Sequence, residues 1–322
     1  MSCGKGIFKR AYATIGVFDG IHRGHQLIFY QMLQRARHKG GRCVLVTFDP
    51  YPGEIFAPNN PIRRLQTEDQ KRRFLVELGF EGMLVVGFSR ELSQMSPGSF
   101  LDEILLAQLD LEELYVGYDF RFGRDREGGI EELESLSRSR GFRVFQVPAL
   151  VDEGMPISSS RIRQALLAGD VASARRWLGR PHALEGRVVR GRGEGTRLLF
   201  PTANLELDPR ILLPKDGVYV VQVEVETQVR GGVMNIGRRP TLTKSTFSNV
   251  EVHLFDWNLD LVGKTLQVHI LTRIRSEKRF RSVEALKKAI QDDMSQARAA
   301  LSRMGENTIS EGDGVEQLRS VC

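Results

Sequence analysis

The sequence predicts an α/β plus β architecture: a parallel, doubly wound sheet, then a small antiparallel β-barrel with a C-terminal helix. Three observations lead there. Up to about Leu178, strand-like and helix-like runs alternate, which is the rhythm of βαβ units. After Gly179-Arg180-Pro181, short strand-like runs follow one another with little helix between them. Near the end, residues 283–301 carry apolar positions at helical spacing. A chain of 322 residues is long for one core. The expected division is 11–180 for the α/β domain and 181–303 for the barrel, with 304–322 a polar tail expected to be disordered.

The elements follow in order. Tyr12 to Val17 is an apolar strand-like run, and Gln26 to Lys39 reads as a helix. Arg42 to Thr47 has the pattern of a short buried strand. Thr67 to Leu78 reads as a helix, opened by Thr67 with Gln70 as a capping box and stopped by Gly79. Gly82 to Val86 reads as strand, Ser99 to Leu109 as helix and Leu114 to Gly117 as strand. Ile130 to Arg140 and Arg143 to Val147 complete the alternation as helix and strand. In the second half, Glu185 to Arg190, Gly217 to Val225, Gly231 to Ile236, Val250 to Phe255 and Thr265 to Leu271 are strand-like. Val250, Val252 and Leu254 alternate with Glu251, His253 and Phe255, so one face is apolar.

Composition narrows the functions. A formal charge of +6 and a pI near 9.3 suit polyphosphate ligands, but acidic residues are mixed throughout. A nucleic-acid binder would interleave basic residues with exposed aromatics, and aromatics are only 8%. No run is long and apolar enough to span a membrane, and Met1 to Arg10 lacks the apolar core of a secretory signal. The three scattered cysteines fit a reducing compartment, so a cytoplasmic protein is expected.

Chemistry concentrates in a few runs. Gly16-Val-Phe-Asp-Gly-Ile-His-Arg-Gly-His25 lies between the first strand and the first helix. Gly16 and Gly20 allow a tight turn, and the helix aims its N–H groups and positive dipole end at the same spot. His22 and His25 are three apart, so their rings share a face and can donate to phosphate oxygens. Ser158-Ser159-Ser160-Arg161 opens another helix after Pro156, where hydroxyls and guanidinium groups suit phosphates or simply cap the helix. Gly191-Arg192-Gly193-Glu194-Gly195 reads as a hairpin turn or a loop over a ligand. Thr202 and Asn204 project to one face of an extended chain as hard oxygen ligands suited to Mg²⁺, although the same step also occurs structurally. Glu251 is either a carboxylate inside the barrel, able to act as a general base, or a solvated outward one.

Taken together, these runs resemble the bacterial bifunctional riboflavin kinase/FAD synthetase family. The resemblance spans Ala11 to Met294 and adds Thr47-Phe-Asp-Pro50, Val116 to Gly123, Ile157 to Arg163, Asn235 to Thr241, Glu251 to Asp256 and Arg275 to Phe280. It implies a Rossmann-like nucleotidyltransferase domain that adenylylates FMN to FAD, and a barrel that phosphorylates riboflavin to FMN, each from ATP. For adenylylation it implies His22 and His25 as charge-stabilising residues. It places ATP against Gly16, Phe18, Asp19, Gly20, His22, His25, Asp119, Ser159, Ser160, Arg161 and Arg163. For the kinase it implies ATP at Gly191, Gly193, Gly195, Pro201, Thr202 and Asn204, with Mg²⁺ on Thr202 and Asn204 and Glu251 as base. Flavin contacts fall on Phe48, Pro50, Phe120, Phe122, Arg275 and Phe280. Thr196 and Leu199 stand where the family pattern has arginine and glycine.

Overall fold

The structure is a computed structural model that describes residues 7–59, 61–190, 201–238 and 248–305. The expectations for Gly191, Gly193, Gly195, Thr196 and Leu199, and for the tail beyond residue 305, fall outside these residues. The described chain packs as two compact units, drawn from residues 7–63 with 68–158 and from residues 64–67 with 159–305.

The first unit contains β1 (Phe8–Ile15), α1 (Arg23–Lys39), β2 (Arg42–Phe48), α2 (Pro52–Phe56), α3 (Glu68–Leu78), β3 (Gly82–Val86), α4 (Arg90–Ser93) and α5 (Pro97–Ser99). A π-helical turn (Phe100–Leu105), β4 (Leu109–Gly117), α6 (Ile130–Arg140), β5 (Arg143–Val147) and the hairpin β6 (Val151–Asp152) with β7 (Met155–Pro156) follow. Five strands pair in parallel in the order β3-β2-β1-β4-β5. The sheet is apolar on both faces, which explains its unbroken hydrophobic runs. Tyr12 and Leu45 face one core with Phe29 and Phe74, while Ala13 and Val46 face another with Leu101 and Leu133. The strand order reverses between β1 and β4, so a crevice opens past their carboxyl ends.

Two sequence expectations shift here. The helix expected over Ser99–Leu109 is a π-helical turn that stops at Leu105, and Leu109 already begins β4. The start of β4 escaped detection because Glu113 lies in it. That carboxylate is fully buried, bonded by Tyr115 Oη at 2.7 Å and paired with Arg35 and Arg143. Helix α1 also begins three residues earlier than expected, with His22 as its N-cap.

The second unit opens with α7 (Ser159–Ala168) and α8 (Val171–Leu178). Strands β8 (His182–Val189), β9 (Ala203–Leu207), β10 (Gly217–Val225), β11 (Gln228–Arg238), β12 (Ser248–Leu254) and β13 (Thr265–Arg275) follow, and α9 (Val283–Met304) ends the unit. The six strands close an antiparallel barrel in the order β10-β11-β12-β9-β8-β13. Leu184, Val223, Met234, Val252 and Val268 fill its interior at 0% exposure. On the outside, Val220, Leu271 and Phe255 pack against Ala297 of α9. Residues 64–67 join this unit through a bridge of Arg64 to Ile211, flanked by Arg64 N–H to Arg210 O and Leu212 N–H to Arg64 O, each at 2.8 Å.

His182 is 4% exposed at the start of β8. It pairs with Ile270 and shares the inward face with Leu184. Burial pushes its imidazole down to about 4, with Arg180 and His269 adding positive charge and a Leu212 backbone hydrogen bond opposing. The folded state thus refuses a proton that the unfolded chain accepts below its usual 6.5. Stability is full above that value, falls as pH drops toward 4, and loses about 3 kcal/mol over the window. Trp177 and Trp257, the two tryptophans of the chain, both lie in this unit and report its unfolding. Urea midpoints from their fluorescence should fall between pH 7 and pH 4.5 in the wild type. The fall should be much shallower in His182→Gln, and parallel curves would refute the assignment.

Candidate active sites

The first constellation sits at the end of β1. The chain leaves the strand through a turn with Phe18 at φ 48°, Gly20 at φ 80° and Ile21 at φ 38°. A β-branched residue in the left-handed region is a backbone outlier, costing roughly 1–3 kcal/mol. Packing holds the turn in place. Phe18 is buried against Phe29 at 5.1 Å and edge-on to His25 at 5.0 Å between ring centroids. The buried amide of Gln26 donates to Ile21 O at 2.9 Å, and Gly16 N–H donates to Val46 O at 3.0 Å.

This turn delivers His22 as the N-cap of α1, its Nδ1 accepting from His25 N–H at 3.4 Å. The two imidazoles stack with centroids 3.6 Å apart and planes 19° from parallel. Stacking at that distance keeps the two ring edges together on one side of the helix start. A side chain at Gly24 would stand 3.2 Å from the His22 ring, so any larger residue there pushes on that imidazole. No acidic residue occupies the first turn of α1, so its positive end faces the crevice unopposed from its own helix. Asp19 is buried in the turn, and Asp119 is exposed beyond β4 at the other side of the strand-order reversal.

The flavin expectations divide. Phe48 is half-buried and meets Phe88 edge-on at 5.7 Å, and Phe88 meets the exposed Phe56 at 5.8 Å. These rings, with the half-buried Pro50, line the carboxyl ends of β2 and β3. Phe56, at the end of α2, and Phe88, after β3, carried no signal beyond being apolar. Phe120 stacks on Phe122 at 5.5 Å, but Phe122 is 7% exposed and belongs to the sheet core. Ser159, Ser160, Arg161 and Arg163 open α7 in the second unit, where the Arg161 guanidinium lies 4.2 Å over the Trp177 ring.

The second constellation is on the barrel. Glu251 does not point inside it: Val250 and Val252 do, so Glu251 shares the outward face with His253. Of the two orientations the sequence leaves open, the structure has the outward one. Glu251 is half-buried and accepts from Asn249 Nδ2 at 2.5 Å. Its cross-strand partners are Asn204 on β9 and Asn235 on β11, so three polar side chains form a row across the outer face. Half-buried Thr202 and exposed Pro201 lead into β9. His253 Nδ1–H donates to Pro201 O at 2.8 Å, tying that lead-in to β12. Its tautomer follows from the acceptor being a carbonyl. Asn235, Asn249 and His253 gave no sequence signal because their role comes from strand register.

Arg275 ends β13 and grips Asp293 of α9 with Nε at 2.9 Å and Nη2 at 2.7 Å. Its guanidinium lies 5.7 Å from the Phe280 ring centroid. Of the two residues expected at a flavin, Arg275 fastens the last helix to the barrel and Phe280 lies against its guanidinium.

Comparison with known proteins divides the chain between two family models. A family model for FAD synthetase matches residues 5–161 and one for riboflavin kinase matches residues 178–301. A bifunctional riboflavin kinase/FMN adenylyltransferase of Pseudomonas fluorescens is 40% identical over 287 residues, 89% of this chain and 92% of that protein. Proteins of the same description from Escherichia coli K12 and Bacillus subtilis 168 are 38% and 33% identical, covering 91% and 92% of their lengths. A crystal structure described as a macrolide-efflux protein from Streptococcus pneumoniae superposes with a TM-score of 0.83 at 32% identity, covering 92% of this chain and 96% of that one. No helix among the described residues is long and apolar enough to cross a membrane.

The Arg275–Asp293 pair is testable as a fastener. Asp293 is 4% exposed, so Asp293→Asn leaves a guanidinium facing a neutral amide. The change should cost about 2 kcal/mol in urea titrations followed by tryptophan fluorescence. An unchanged midpoint would remove the pair from the stability of the barrel.

Proposed function

The chain belongs to the bifunctional riboflavin kinase/FMN adenylyltransferase family, and from that premise we propose how its residues divide two successive reactions of FAD synthesis. Residues 181–303 phosphorylate riboflavin with ATP, and residues 11–180 adenylylate the resulting FMN with a second ATP. The observation that carries the reading is that two separate constellations suited to phosphate stand on two separately packed units.

In the kinase step, the flavin 5′-hydroxyl oxygen attacks the γ-phosphorus of ATP, and ADP leaves. Glu251 takes the hydroxyl proton, with Asn249 holding one carboxylate oxygen in place. Thr202 and Asn204 supply hard oxygens at one edge of the same face, a donor set that fits Mg²⁺ bound jointly with nucleotide phosphates. When bound, Mg²⁺ supplies charge neutralisation on the phosphates. Gly191, Gly193, Gly195 and Pro201 are assigned to the nucleotide, and Arg275 and Phe280 to the flavin edge.

In the adenylylation step, an FMN phosphate oxygen attacks the α-phosphorus of ATP and pyrophosphate departs. His22, His25 and the N–H groups opening α1 stabilise the charge that builds there. Phe18, Asp19, Gly16 and Gly20 shape the turn under the nucleotide, with Asp119 assigned to the rest of it. Phe48, Pro50 and Phe120 offer the flavin apolar surface, with Phe122 supporting Phe120 from the core. A reducing, cytoplasmic setting suits the free buried Cys43.

Purified chain given riboflavin, ATP and Mg²⁺ should form FMN and then FAD, read by chromatography of the flavins; no flavin turnover would sink the reading. Glu251→Gln should slow riboflavin phosphorylation about 10²-fold or more while FMN adenylylation persists. His25→Ala should do the reverse, slowing adenylylation about 10²–10³-fold while sparing the kinase. Equal loss of both activities in either folded variant would contradict the division. Chelating Mg²⁺ should stop both steps.

A further inference from the structure

Lys71 of α3 is 0% exposed, an unusual place for a lysine. Its ammonium lies 3.1 Å from Val17 O, 3.4 Å from Thr47 Oγ1, 3.3 Å from Tyr51 Oη and 3.0 Å from Glu68 Oε1. Thr47 Oγ1–H also donates to Val17 O, at 3.2 Å. A single backbone carbonyl is therefore held by two buried side chains, one of them cationic. That carbonyl closes the peptide leading into Phe18, the first residue of the turn with positive φ.

A turn with non-glycine residues in left-handed conformations persists only where its surroundings over-determine it. At its far end, Gln26 holds Ile21 O at 2.9 Å. At its near end, Lys71 and Thr47 hold Val17 O. Between the two anchors lie Phe18, Asp19 and Gly20, and immediately beyond them comes His22. Glu68 pairs with Lys71 one helical turn away and balances its charge, so the buried cation is tolerable there.

We propose that Lys71 is a positioning residue of the adenylylating site, holding the Val17 carbonyl so that the turn through Phe18 and Ile21 delivers His22 and His25 in register. It acts through the backbone and touches no reacting atom. Thr47 is its partner in this task. The proposal rests on the adenylyltransferase reading of the first unit. A donor that sets the approach of the loop controls the distance between the imidazoles and the transferring phosphorus. A displacement of about 1 Å there is worth about 10²-fold in rate.

The test compares wild type with Lys71→Met and Thr47→Val, full-length, measuring FMN adenylylation and riboflavin phosphorylation separately. The expected result is a kcat for adenylylation about 100-fold lower in Lys71→Met and about 10-fold lower in Thr47→Val. The KM for ATP should stay within about threefold, and kinase activity within about twofold. An adenylylation kcat within twofold of wild type in a folded Lys71→Met overturns the proposal. If Lys71→Met does not fold, Thr47→Val decides alone, and an unchanged kcat there overturns it. NMR of the His22 and His25 Cε1–H groups gives a readout independent of turnover. Both resonances should move in Thr47→Val, and unmoved resonances contradict the proposal. If the wild type makes no FAD at all, the adenylyltransferase reading fails, and the NMR comparison still judges the clamp.

Discussion

A β-strand gives its residues two faces, and in this protein the burial of those faces decides where chemistry can happen. In the first unit both faces of the sheet are covered, by the cores around Phe29 and around Leu101. Polar chemistry is therefore driven off the sheet to the strand ends, where β1 and β4 diverge. In the second unit the inward face is a closed apolar core. Asn204, Glu251 and Asn235 consequently lie on the outer face, where their alternation with Leu205, Val250 and Ile236 puts them. The same period of two yields a crevice in one unit and an outer-face site in the other.

That rule also explains what could be read in the sequence. The βαβ rhythm and the later succession of strands were visible because each is a local pattern of apolar spacing. The histidine turn was visible because glycine, aspartate and histidine cluster between a strand and a helix. The orientation of Glu251 was not, since its alternation tells which residues share a face but not which face is covered. Ala203–Leu207 is a strand only because β8 and β12 flank it. His182 follows Gly179-Arg180-Pro181, and barrel closure places it inward. Nothing in the sequence sets Lys71 apart from the other charges of α3. Its meaning depends on Val17 and Thr47, which are far away in sequence and close only through the β1–β2 pairing.

The two sites solve the placement of polar groups by different means. On the barrel, register does the positioning: strands hold Asn204, Glu251 and Asn235 side by side without backbone strain among them. In the first unit, an irregular turn does it, with a conformational cost at Phe18 and Ile21 offset by buried aromatic packing and side-chain bonds to backbone carbonyls. Rigidity in the first case comes from the ladder, and in the second from the surroundings.

The membership of residues 64–67 in the second unit has a consequence for dividing the chain. The polypeptide visits the second unit early, through Arg64 to Thr67, and re-enters it at Ser159. A gene split at either visit would leave one product with a gap, because Thr67 Oγ1 bonds Glu185 and Arg64 brackets Leu212. A chain cut between residues 67 and 159 therefore parts the barrel from the short segment that Ile211 and Glu185 hold.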